Sequence, residues 1–382
     1  MIYLSEEQEM IRDMIRKLAS DKLAPRIDEI DESDEFPWDF VDILGENGLL
    51  RLLLPEDYSG INANTKTLSM VMEEMSTLCL PAAVIIMATS VVQFIIRSRG
   101  NDEQKNRFFS TMSKLNKMGA IAITEPDNGS NAANMKTKAV LDDDTYILNG
   151  SKCFITNGGV ADYYIIFART GPDKGAKGLS CFVVEKETPG FSIGKKEKKM
   201  GMRGSPMAEL IFDNAMVPKA NLLGNEGDGW RILMEEGNLM RIWGTATIGL
   251  GVAQCALDHA VNYSKERVQF NQPIAYFQSI QFKLADMAIK IETARSLIYR
   301  VADMLDRGEK NFKMIEALSS MAKCYSTDIA MQITTEAVQV FGGYGYMKDY
   351  PVERLMRDAK GGQIADGTND IQRMIVARYI LS

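Results

Sequence analysis

Apolar residues recur every three or four positions over roughly the first 115 residues of the chain. Between Glu6 and Leu18 they form one stripe with charged residues opposite it, which predicts an amphipathic helix. Ser5, with Gln8 three residues later, is typical of a helix start. Further helical patterns cover residues 38–44, 65–75 and 82–97. Residues 1–117 are therefore predicted to form an N-terminal helical domain.

The periodicity changes near Met118, where short runs of β-branched and aromatic residues alternate with turn residues. These runs predict strands over residues 120–124, 146–149, 163–169, 179–185 and 208–212. Glycine and asparagine separate the strands, as at Asn149-Gly150. Residues 118–228 are therefore expected to form a small, barrel-like β domain.

Helical periodicity then returns and lasts to the end of the chain. Long helices are predicted over residues 229–264, 277–306, 313–340 and 369–381. Their lengths suit a four-helix bundle, which residues 229–382 are expected to form. The predicted fold is thus mainly α with a β module in the middle: helical domain, β domain, helical bundle.

Charge and composition narrow the chemistry. The formal net charge is −7, whereas proteins that bind nucleic acid need a basic face, so no nucleic-acid partner is expected. The chain has one histidine, His259, inside a predicted helix. A Ser-His-Asp triad, a histidine zinc site or a histidine general base would rest on that residue alone. No metal site is predicted, and carboxylates or a cofactor are expected to carry any chemistry.

Cysteine usage and hydropathy bear on the compartment. Five cysteines are widely spaced and include no Cys-x-x-Cys pair, which indicates a reducing compartment. The N-terminal residues lack the pattern of a signal peptide, so a cytoplasmic protein is expected. No run of about 18 uncharged apolar residues is recognised, and no membrane insertion is expected.

Two short segments have the composition of ligand-binding turns. Thr124–Ser130 is a strand end followed by small and polar residues, whose N–H groups can face a flavin or a pyrophosphate; a plain β turn has the same composition. Phe341–Tyr346 joins two helices, and its glycines permit close approach of a ligand or another backbone. Gly249-Leu250-Gly251 lies inside a helix and is expected to serve helix packing rather than a dinucleotide.

Taken in order, eight segments resemble the acyl-CoA dehydrogenase family over essentially the whole chain. They are Ala122–Ser130, Asn149–Gly158, Met200–Ser205, Glu266–Phe270, Phe277–Gln281, Gln339–Gly343, Arg357–Lys360 and Asp366–Gln372. A chance match to one segment is easy, but eight in the family's order are not. The resemblance is specific to the family and much less so to a substrate.

The resemblance implies FAD as cofactor and a homotetramer in which FAD crosses a subunit interface. It places the cofactor contacts at Ile121, Ile123, Thr124, Gly129, Ser130, Phe154, Thr156, Arg267, Phe270, Gln278, Gln339, Gly343 and Thr368. On the substrate side it implies Ser130, Arg241 and Gly367. Phe154 stands where many members have tryptophan, and Asn271 stands where glycine is usual.

The reaction that the resemblance implies removes an α-proton and a β-hydride from an acyl-CoA thioester. Such an α-proton is too weakly acidic to leave unaided, so a carboxylate must take it. The family's glutamate precedes a Gly-Thr pair, and here that position is Asp366. The position that some members use instead, directly before the CoA-side arginine, is Met240. Asp366 is the predicted base; the alternative is a structural carboxylate, with the base elsewhere or absent.

Aspartate is one methylene shorter than glutamate, a loss of reach of roughly 1.2–1.5 Å. We hypothesise that a bulky α-carbon, branched or in a ring, fills that space, as in cyclohexane-1-carbonyl-CoA. The acyl pocket is expected along residues 80–92 and 361–366, although an apolar helix face is more often core. Three alternatives stay open: an enoyl-CoA reductase, a nitroalkane oxidase with an aspartate at this position, and a non-catalytic acyl-CoA-binding flavoprotein. Electron-transferring flavoprotein is the expected electron acceptor.

Overall fold

The computed structural model describes residues 4–115, 117–171 and 175–382. The helices are α1 Glu6–Leu18, α2 Ile27–Ser33, α3 Trp38–Glu46, α4 Thr65–Leu78, α5 Leu80–Arg99, α6 Asp102–Leu115, α7 Gly229–Arg241, α8 Thr247–Glu266, α9 Gln278–Asp306, α10 Phe312–Phe341, α11 Pro351–Ile364 and α12 Asn369–Ile380. The strands are β1 Gly119–Ala122, β2 Lys138–Asp142, β3 Thr145–Thr156, β4 Tyr163–Arg169, β5 Leu179–Glu185, β6 Phe191–Lys196, β7 Met207–Pro218, β8 Leu222–Leu223, β9 Val268–Gln269 and β10 Gln272–Pro273. The predicted order of helices, β module and helical bundle is confirmed.

The two helical parts pack directly on each other through α4 and α8. The N-terminal capping box is formed: Ser5 Oγ accepts from the Gln8 N–H at 3.2 Å. On α8, a Cβ added to Gly251 would lie 2.0 Å from Ser76 Oγ of α4, so only glycine permits this approach. The predicted packing role of Gly249-Leu250-Gly251 is therefore confirmed. His259 lies on α8, as predicted.

The β domain is built around β4 and β5, two paired strands that are buried on both faces. The strand order is β6-β7-β3-β2-β4-β5-β8, and β1 pairs in parallel with β4. Along β4, Ile165 and Phe167 join the core shared with the helices, while Tyr164 and Ile166 join a second core inside the β domain. This alternation follows the two-residue period of a strand. Because β1 also packs against α5, the strand that enters the Thr124 turn is fixed to the helical core.

Helix α5 is the one helix in the described ranges that is long and apolar enough to cross a membrane. Of the most apolar stretch of this helix, 83% is buried inside the structure, and buried core helices commonly have the same length and composition. Leu80–Arg99 includes Thr89, Ser90 and Gln93 and ends with Arg97 and Arg99, so it is not a run of about 18 uncharged apolar residues. That no segment inserts into a membrane stays a prediction.

Two features of the C-terminal helices differ from the prediction. The predicted continuous helix over residues 229–264 is broken by a π-helical turn, Ile242–Ala246, in which Gly244 has φ −93° and ψ −110°. Apolar periodicity cannot reveal one extra residue in a turn, because the pattern continues on both sides. Helix α11 was not predicted, although Pro351 at its first position is a common helix start.

Candidate active site

Asp366 lies in a short turn between α11 and α12, and the backbone of this turn is held by side chains from two helices. Asp366 and Gly367 have φ values of 54° and 83°, a region that glycine and aspartate adopt more readily than most residues. Arg241 Nε, at the end of α7, donates to the Asp366 carbonyl at 3.2 Å. Gln372 Nε2, on α12, donates to the Gly367 carbonyl at 2.9 Å. The position of Asp366 is thereby fixed.

Lys323, on α10, anchors the same turn from within the bundle. Its ammonium donates to the Gly367 carbonyl at 2.9 Å and to Asn369 Oδ1 at 2.8 Å. The side chain has no exposed surface. Burial lowers the pKa of Lys323 to about 8, and the nearby Asp366 charge opposes that shift. A buried positive charge therefore lies beside the predicted base.

The carboxylate of Asp366 is held by one hydroxyl. Thr245 Oγ1, in the π-helical turn, donates to Asp366 Oδ2. Within residues 4–115, 117–171 and 175–382, no hydrogen bond reaches the other oxygen, Oδ1, and Asp366 is exposed. One carboxylate oxygen is thus anchored and the other is open to receive a proton, as a general base requires.

The turn Thr124–Ser130 is anchored by an ion pair inside the β domain. Lys152 Nζ lies 3.0 Å from Glu125 Oε1, and both side chains are buried. Burial raises the pKa of Glu125, but Lys152 and the N–H donors of Lys136 and Thr137 outweigh it and hold the pKa below its usual range. Burial lowers the pKa of Lys152 to about 8, against the opposing effect of Glu125. At neutral pH both groups remain charged.

The outer side of this turn is open. Glu125 and Asn128 exchange backbone hydrogen bonds at 3.1 and 3.0 Å, so the segment is a regular turn, and Gly129 and Ser130 are exposed. A Cβ added to Gly129 would meet no atom within 4 Å. The chain itself therefore does not require glycine there, and the space beside it is free for a bound group.

Phe154 lies beside the same turn, in a bulge of β3. The pairing of β3 with β7 shifts between Lys152 and Ile155, and Phe154 has a φ of 58°. An aromatic residue in this region is strained, and such strain clusters at functional sites. The Cys153 N–H donates to the Thr124 carbonyl at 2.9 Å, and Phe154 is 58% exposed.

The structure therefore brings several predicted flavin residues to one edge of the β domain. Ile121, Ile123, Thr124 and Thr156 are half-buried around this edge, beside the exposed Phe154. Their contacts with a cofactor stay a prediction.

A loop joins this domain to the helix that leads to Asp366. The Met202 N–H donates to Asp358 Oδ1 on α11. A Cβ added to Gly361 would lie 3.1 Å from Met202 Cε, so the loop lies against the last turns of α11. Full burial raises the pKa of Asp358 to about 6. The loop that resembled the family motif thus holds the β domain against the Asp366 helix.

A third group of predicted residues lies elsewhere. Arg267 and Gly343 line an open cleft of about 500 Å³, where the ends of α8 and α10 meet. The Arg267 guanidinium lies 5.3 Å from the centre of the Tyr344 ring, and no carboxylate of the described residues pairs with it. A Cβ added to Gly343 would meet no atom within 4 Å.

The remaining members of this group are also exposed. Phe270 is 87% exposed and contacts Phe277 edge-on, with ring centres 6.0 Å apart. Gln278 and Gln339 are exposed, and their side chains form no hydrogen bond with the described residues. On α10, Gln339 follows Lys323 by 16 residues, which is about 24 Å along the helix axis. The Arg267 group and the Asp366 turn are therefore not brought together within one chain.

The substrate-side predictions find different environments. Arg241 is 9% exposed and binds the backbone of Asp366 and the side chain of Asn238, whereas Ser130 is exposed. Thr368 caps α12, because its hydroxyl accepts from the Ile371 N–H at 3.4 Å. Their roles towards a substrate or cofactor stay predictions.

The expected acyl pocket along α5 is mostly core. Val84, Ile85, Val91 and Val92 are buried, but Met87 is partly exposed. Its sulfur would lie 3.4 Å from a Cβ added to Gly244 in the π-helical turn. Met87 is thus a partly exposed α5 side chain that reaches the region next to Thr245, and Phe94 of α5 also contacts the π-helical turn, with its ring centre 6.1 Å from that of Trp243.

Three residues of this site were missed by sequence reasoning. Lys152 follows Tyr146 and Leu148 at the inward-facing period of β3, and Lys323 shares a buried helical face with Ser319 and Thr327. A lysine in such a position is a recognisable signal, because lysine is rarely fully buried unless it is paired. Thr245 gave no signal, since its position depends on the unpredicted π-helical turn.

Three family models match the chain in the order of its three parts. The N-terminal domain model of acyl-CoA dehydrogenase matches residues 5–116, the middle domain model residues 120–215, and the C-terminal domain model residues 227–381.

Individual relatives match over the full length. An acyl-CoA dehydrogenase of Bacillus subtilis (strain 168) is 48% identical over 381 residues, covering 100% of this chain and 99% of the relative. A cyclohex-1-ene-1-carbonyl-CoA dehydrogenase of Geobacter metallireducens is 45% identical over 384 residues, covering 100% of both. The solved structure of butyryl-CoA dehydrogenase from Megasphaera elsdenii is 40% identical, with a TM-score of 0.95 and 100% of both chains covered.

Proposed function

The chain belongs to the acyl-CoA dehydrogenase family, flavin-dependent oxidoreductases that act on CH–CH groups, and we propose that it uses FAD as cofactor and Asp366 as base. The observation that carries the proposal is the state of the Asp366 carboxylate. Its backbone is fixed by Arg241 and Gln372, one oxygen is held by Thr245, and the other oxygen is open.

Asp366 takes the α-proton of the thioester on its open oxygen. A bound flavin supplies the acceptor for the β-hydride. Lys323 and Arg241 place two positive charges beside the turn. Neither group bonds to the carboxylate itself, because Lys323 donates to the Gly367 carbonyl and Arg241 to the Asp366 carbonyl.

We assign the cofactor site to two surfaces. The Thr124 turn with Ile121, Ile123, Gly129, Phe154 and Thr156 receives the flavin ring, and Thr368 adjoins it. The cleft with Arg267, Phe270, Gln278, Gln339 and Gly343 receives the phosphates and adenine of FAD from another subunit. Arg267 suits a phosphate because it has no carboxylate partner in the described chain.

This division explains why the assembly is proposed to be a homotetramer. The cleft lies at the Gln339 end of α10, whereas the Asp366–Thr368 turn is bonded to Lys323, about 24 Å away along the helix axis, so we infer that a second copy brings a cleft to the turn. Analytical ultracentrifugation of Arg267→Ala, with FAD content measured on the same sample, tests whether cofactor and assembly depend on this cleft. A monomer that retains full FAD would overturn the assignment.

For the substrate we propose an acyl-CoA with a branched or ring α-carbon, such as cyclohexane-1-carbonyl-CoA. Two observations support this choice. Asp366 has a shorter reach than glutamate, and a full-length relative is named cyclohex-1-ene-1-carbonyl-CoA dehydrogenase. Met87, which is flexible, and Gly244, which has no side chain, are the neighbours that can accommodate a ring.

The decisive experiment is anaerobic titration of the purified holoenzyme with acyl-CoA esters, following the oxidised flavin absorbance. The panel contains butyryl-, isobutyryl-, glutaryl- and cyclohexane-1-carbonyl-CoA. Asp366→Ala is run beside Asp370→Asn, a matched control because the Asp370 side chain is 94% exposed. We expect bleaching by the cyclic ester, lost in Asp366→Ala and retained in Asp370→Asn. If butyryl-CoA is the best substrate, the ring hypothesis is wrong.

The same holoenzyme separates the alternatives. Reoxidation of the dithionite-reduced enzyme by an enoyl-CoA, without bleaching by any saturated ester, would favour an enoyl-CoA reductase. Bleaching by nitroethane without CoA would favour a nitroalkane oxidase. A flavin that stays oxidised with every compound, while CoA esters still bind, would mark a non-catalytic binding protein.

We propose electron-transferring flavoprotein as the electron acceptor and the cytoplasm as the compartment. The five cysteines are all free thiols, and Cys79, Cys153 and Cys181 are buried, which supports a reducing environment. Turnover with purified electron-transferring flavoprotein, compared with turnover under oxygen alone, tests the acceptor.

A further inference from the structure

We propose that Thr245 is the positioning residue for Asp366: its hydroxyl holds one carboxylate oxygen, so that the short side chain presents the other to the α-carbon. The inference rests on the proposed role of Asp366 as base. It gives a function to Thr245 and to the π-helical turn Ile242–Ala246 that contains it. The position of Asp366 alone does not explain either feature.

Thr245 reaches Asp366 because of the π-helical turn. A π-helical turn accommodates an extra residue, and one extra residue rotates the following side chains by about 100° around the axis. The turn is stabilised locally: Thr247 Oγ1 donates to the Ile242 carbonyl at 2.6 Å, and Ser326 Oγ on α10 donates to the Ala246 carbonyl. Thr245 is 5% exposed, so its hydroxyl is directed into the structure, towards Asp366.

The other polar groups around the turn hold its backbone and not its carboxylate. Arg241 donates to the Asp366 carbonyl, Gln372 to the carbonyls of Asp366 and Gly367, and Lys323 to Gly367. In the described parts of the chain, Thr245 is the side chain that donates to the carboxylate itself. The orientation of the Asp366 carboxylate affects the reaction rate, because displacing a reacting atom by about 1 Å can lower the rate on the order of a hundredfold.

A neutral donor suits this task better than a cation. A hydroxyl fixes the orientation of the carboxylate, whereas a bonded guanidinium or ammonium would strongly lower its affinity for a proton. The charged groups that face Asp366 are Arg241 from α7 and Lys323 from α10, with Glu316 acting on Arg241. The π-helical turn itself carries no charge, so Thr245→Val changes the hydroxyl and leaves every charge in place.

The test compares T245V, which keeps the shape, with T245S, which keeps the hydroxyl. Proton abstraction is measured separately from hydride transfer by following α-proton exchange of acetyl-CoA in D₂O, because acetyl-CoA has α-protons and no β-hydrogen. Flavin reduction by the best ester is measured in parallel. We expect T245V to lower both rates roughly 10- to 100-fold with the ester Kd nearly unchanged, and T245S to stay within about threefold of wild type.

The pH profile supplies a readout that a packing role would not move. A carboxylate that loses a hydrogen-bond donor is harder to ionise, so the acid limb of the T245V exchange rate should move up by about one pH unit. Equal profiles for T245V and wild type would overturn the proposal. So would a T245S variant as slow as T245V, because a hydroxyl at this position would then not preserve the rate and the packing of the side chain would be responsible.

A second readout separates this inference from the proposed function. The flavin absorbance of the resting holoenzyme is titrated with pH, and the transition absent in Asp366→Asn is assigned to Asp366. If wild type neither exchanges α-protons nor is bleached by any ester, the proposed function fails. Thr245 is then judged by whether T245V shifts that transition upward; an unshifted transition overturns its positioning role.

Discussion

The two turns proposed to meet the flavin and the substrate are each anchored by a lysine without exposed surface, but the two lysines are compensated differently. Lys152 lies 3.0 Å from the carboxylate of Glu125, in a closed ion pair within the β domain. Lys323 bonds to neutral oxygens, the Gly367 carbonyl and the Asn369 amide. Of the nearby carboxylates, Asp366 affects the pKa of Lys323 most and Asp328 less, and Lys323 is not bonded to Asp366.

This difference divides structural charge from reactive charge. The Lys152–Glu125 pair is internal to the β domain, and nothing in the proposed reaction alters it. The charge near Lys323 belongs to the base, so it disappears each time Asp366 accepts a proton. We infer that the β-domain turn needs its ion pair to fold, whereas the Asp366 turn needs its charges to react.

Asp366→Asn is expected to have the largest effect on activity. The amide keeps the shape but cannot take a proton, and loss of a general base costs roughly 10²- to 10⁴-fold in rate. The rate of flavin reduction by the best ester, measured by anaerobic stopped flow, checks this. FAD content should stay at the wild-type value, because the Lys152–Glu125 turn is untouched. A variant that reduces its flavin at the wild-type rate would contradict the proposed base.

Lys152→Met should damage stability instead. It leaves the buried Glu125 carboxylate without its positively charged partner, and breaking a buried ion pair in this way costs about 3–5 kcal/mol. We expect a lower Tm and loss of FAD, measured by thermal unfolding and flavin absorbance. Lys152→Met with Glu125→Gln should recover part of the loss, because the lone charge is removed. Equal stability of the single and double variants would show that the pair is not the anchor.

The fold could be predicted from the sequence because its signals are periodic. Strands β4 and β5 were predicted with their observed bounds, since both lie between clear turn residues. Family membership, inferred from eight ordered motifs, is confirmed by models that match all three parts of the chain.

The details of the site could not be predicted in the same way. The hydroxyl of Thr245 and the ammonium of Lys323 meet the Asp366 turn across more than 40 residues of chain. No local pattern encodes such contacts. The π-helical turn that directs Thr245 interrupts a helix without interrupting its apolar character, so the sequence gives no sign of it.

Arg267→Ala should weaken FAD binding without changing the stability of the two turns that Lys152 and Lys323 anchor. Arg267 lies in the open cleft and makes no ion pair with the residues that the structure describes, so the Tm of the apoprotein should be unchanged. Loss of a charge-assisted contact to a phosphate is expected to weaken FAD binding roughly 30- to 100-fold. Isothermal titration of apoprotein with FAD measures this, and Arg267→Lys should retain part of the affinity. Unchanged FAD affinity would remove the cleft from the cofactor site.

The smallest predicted effect is a dependence on pH, and it concerns Lys323. Its pKa in the folded protein is about 8, below the value of 10.5 for a free lysine. Between these values the unfolded chain binds more protons than the folded one, so this group stabilises the fold increasingly as pH rises. The stabilisation is complete above pH 10.5 and is lost as pH falls through 8. Between pH 7.5 and 9.5 it amounts to about 2 kcal/mol.

Lys323→Met removes this contribution while Lys152 still titrates in both proteins. The stability of the variant relative to wild type should therefore fall by about 2 kcal/mol between pH 7.5 and 9.5, measured by urea unfolding at each pH. The exposed Lys360→Met is the control, and its difference from wild type should be constant. A constant difference for Lys323→Met as well would mean that the lysine is not held at a depressed pKa. The two buried lysines would then not differ in how their charges are compensated. They would differ only in the groups to which they are bonded, a carboxylate for Lys152 and neutral oxygens for Lys323.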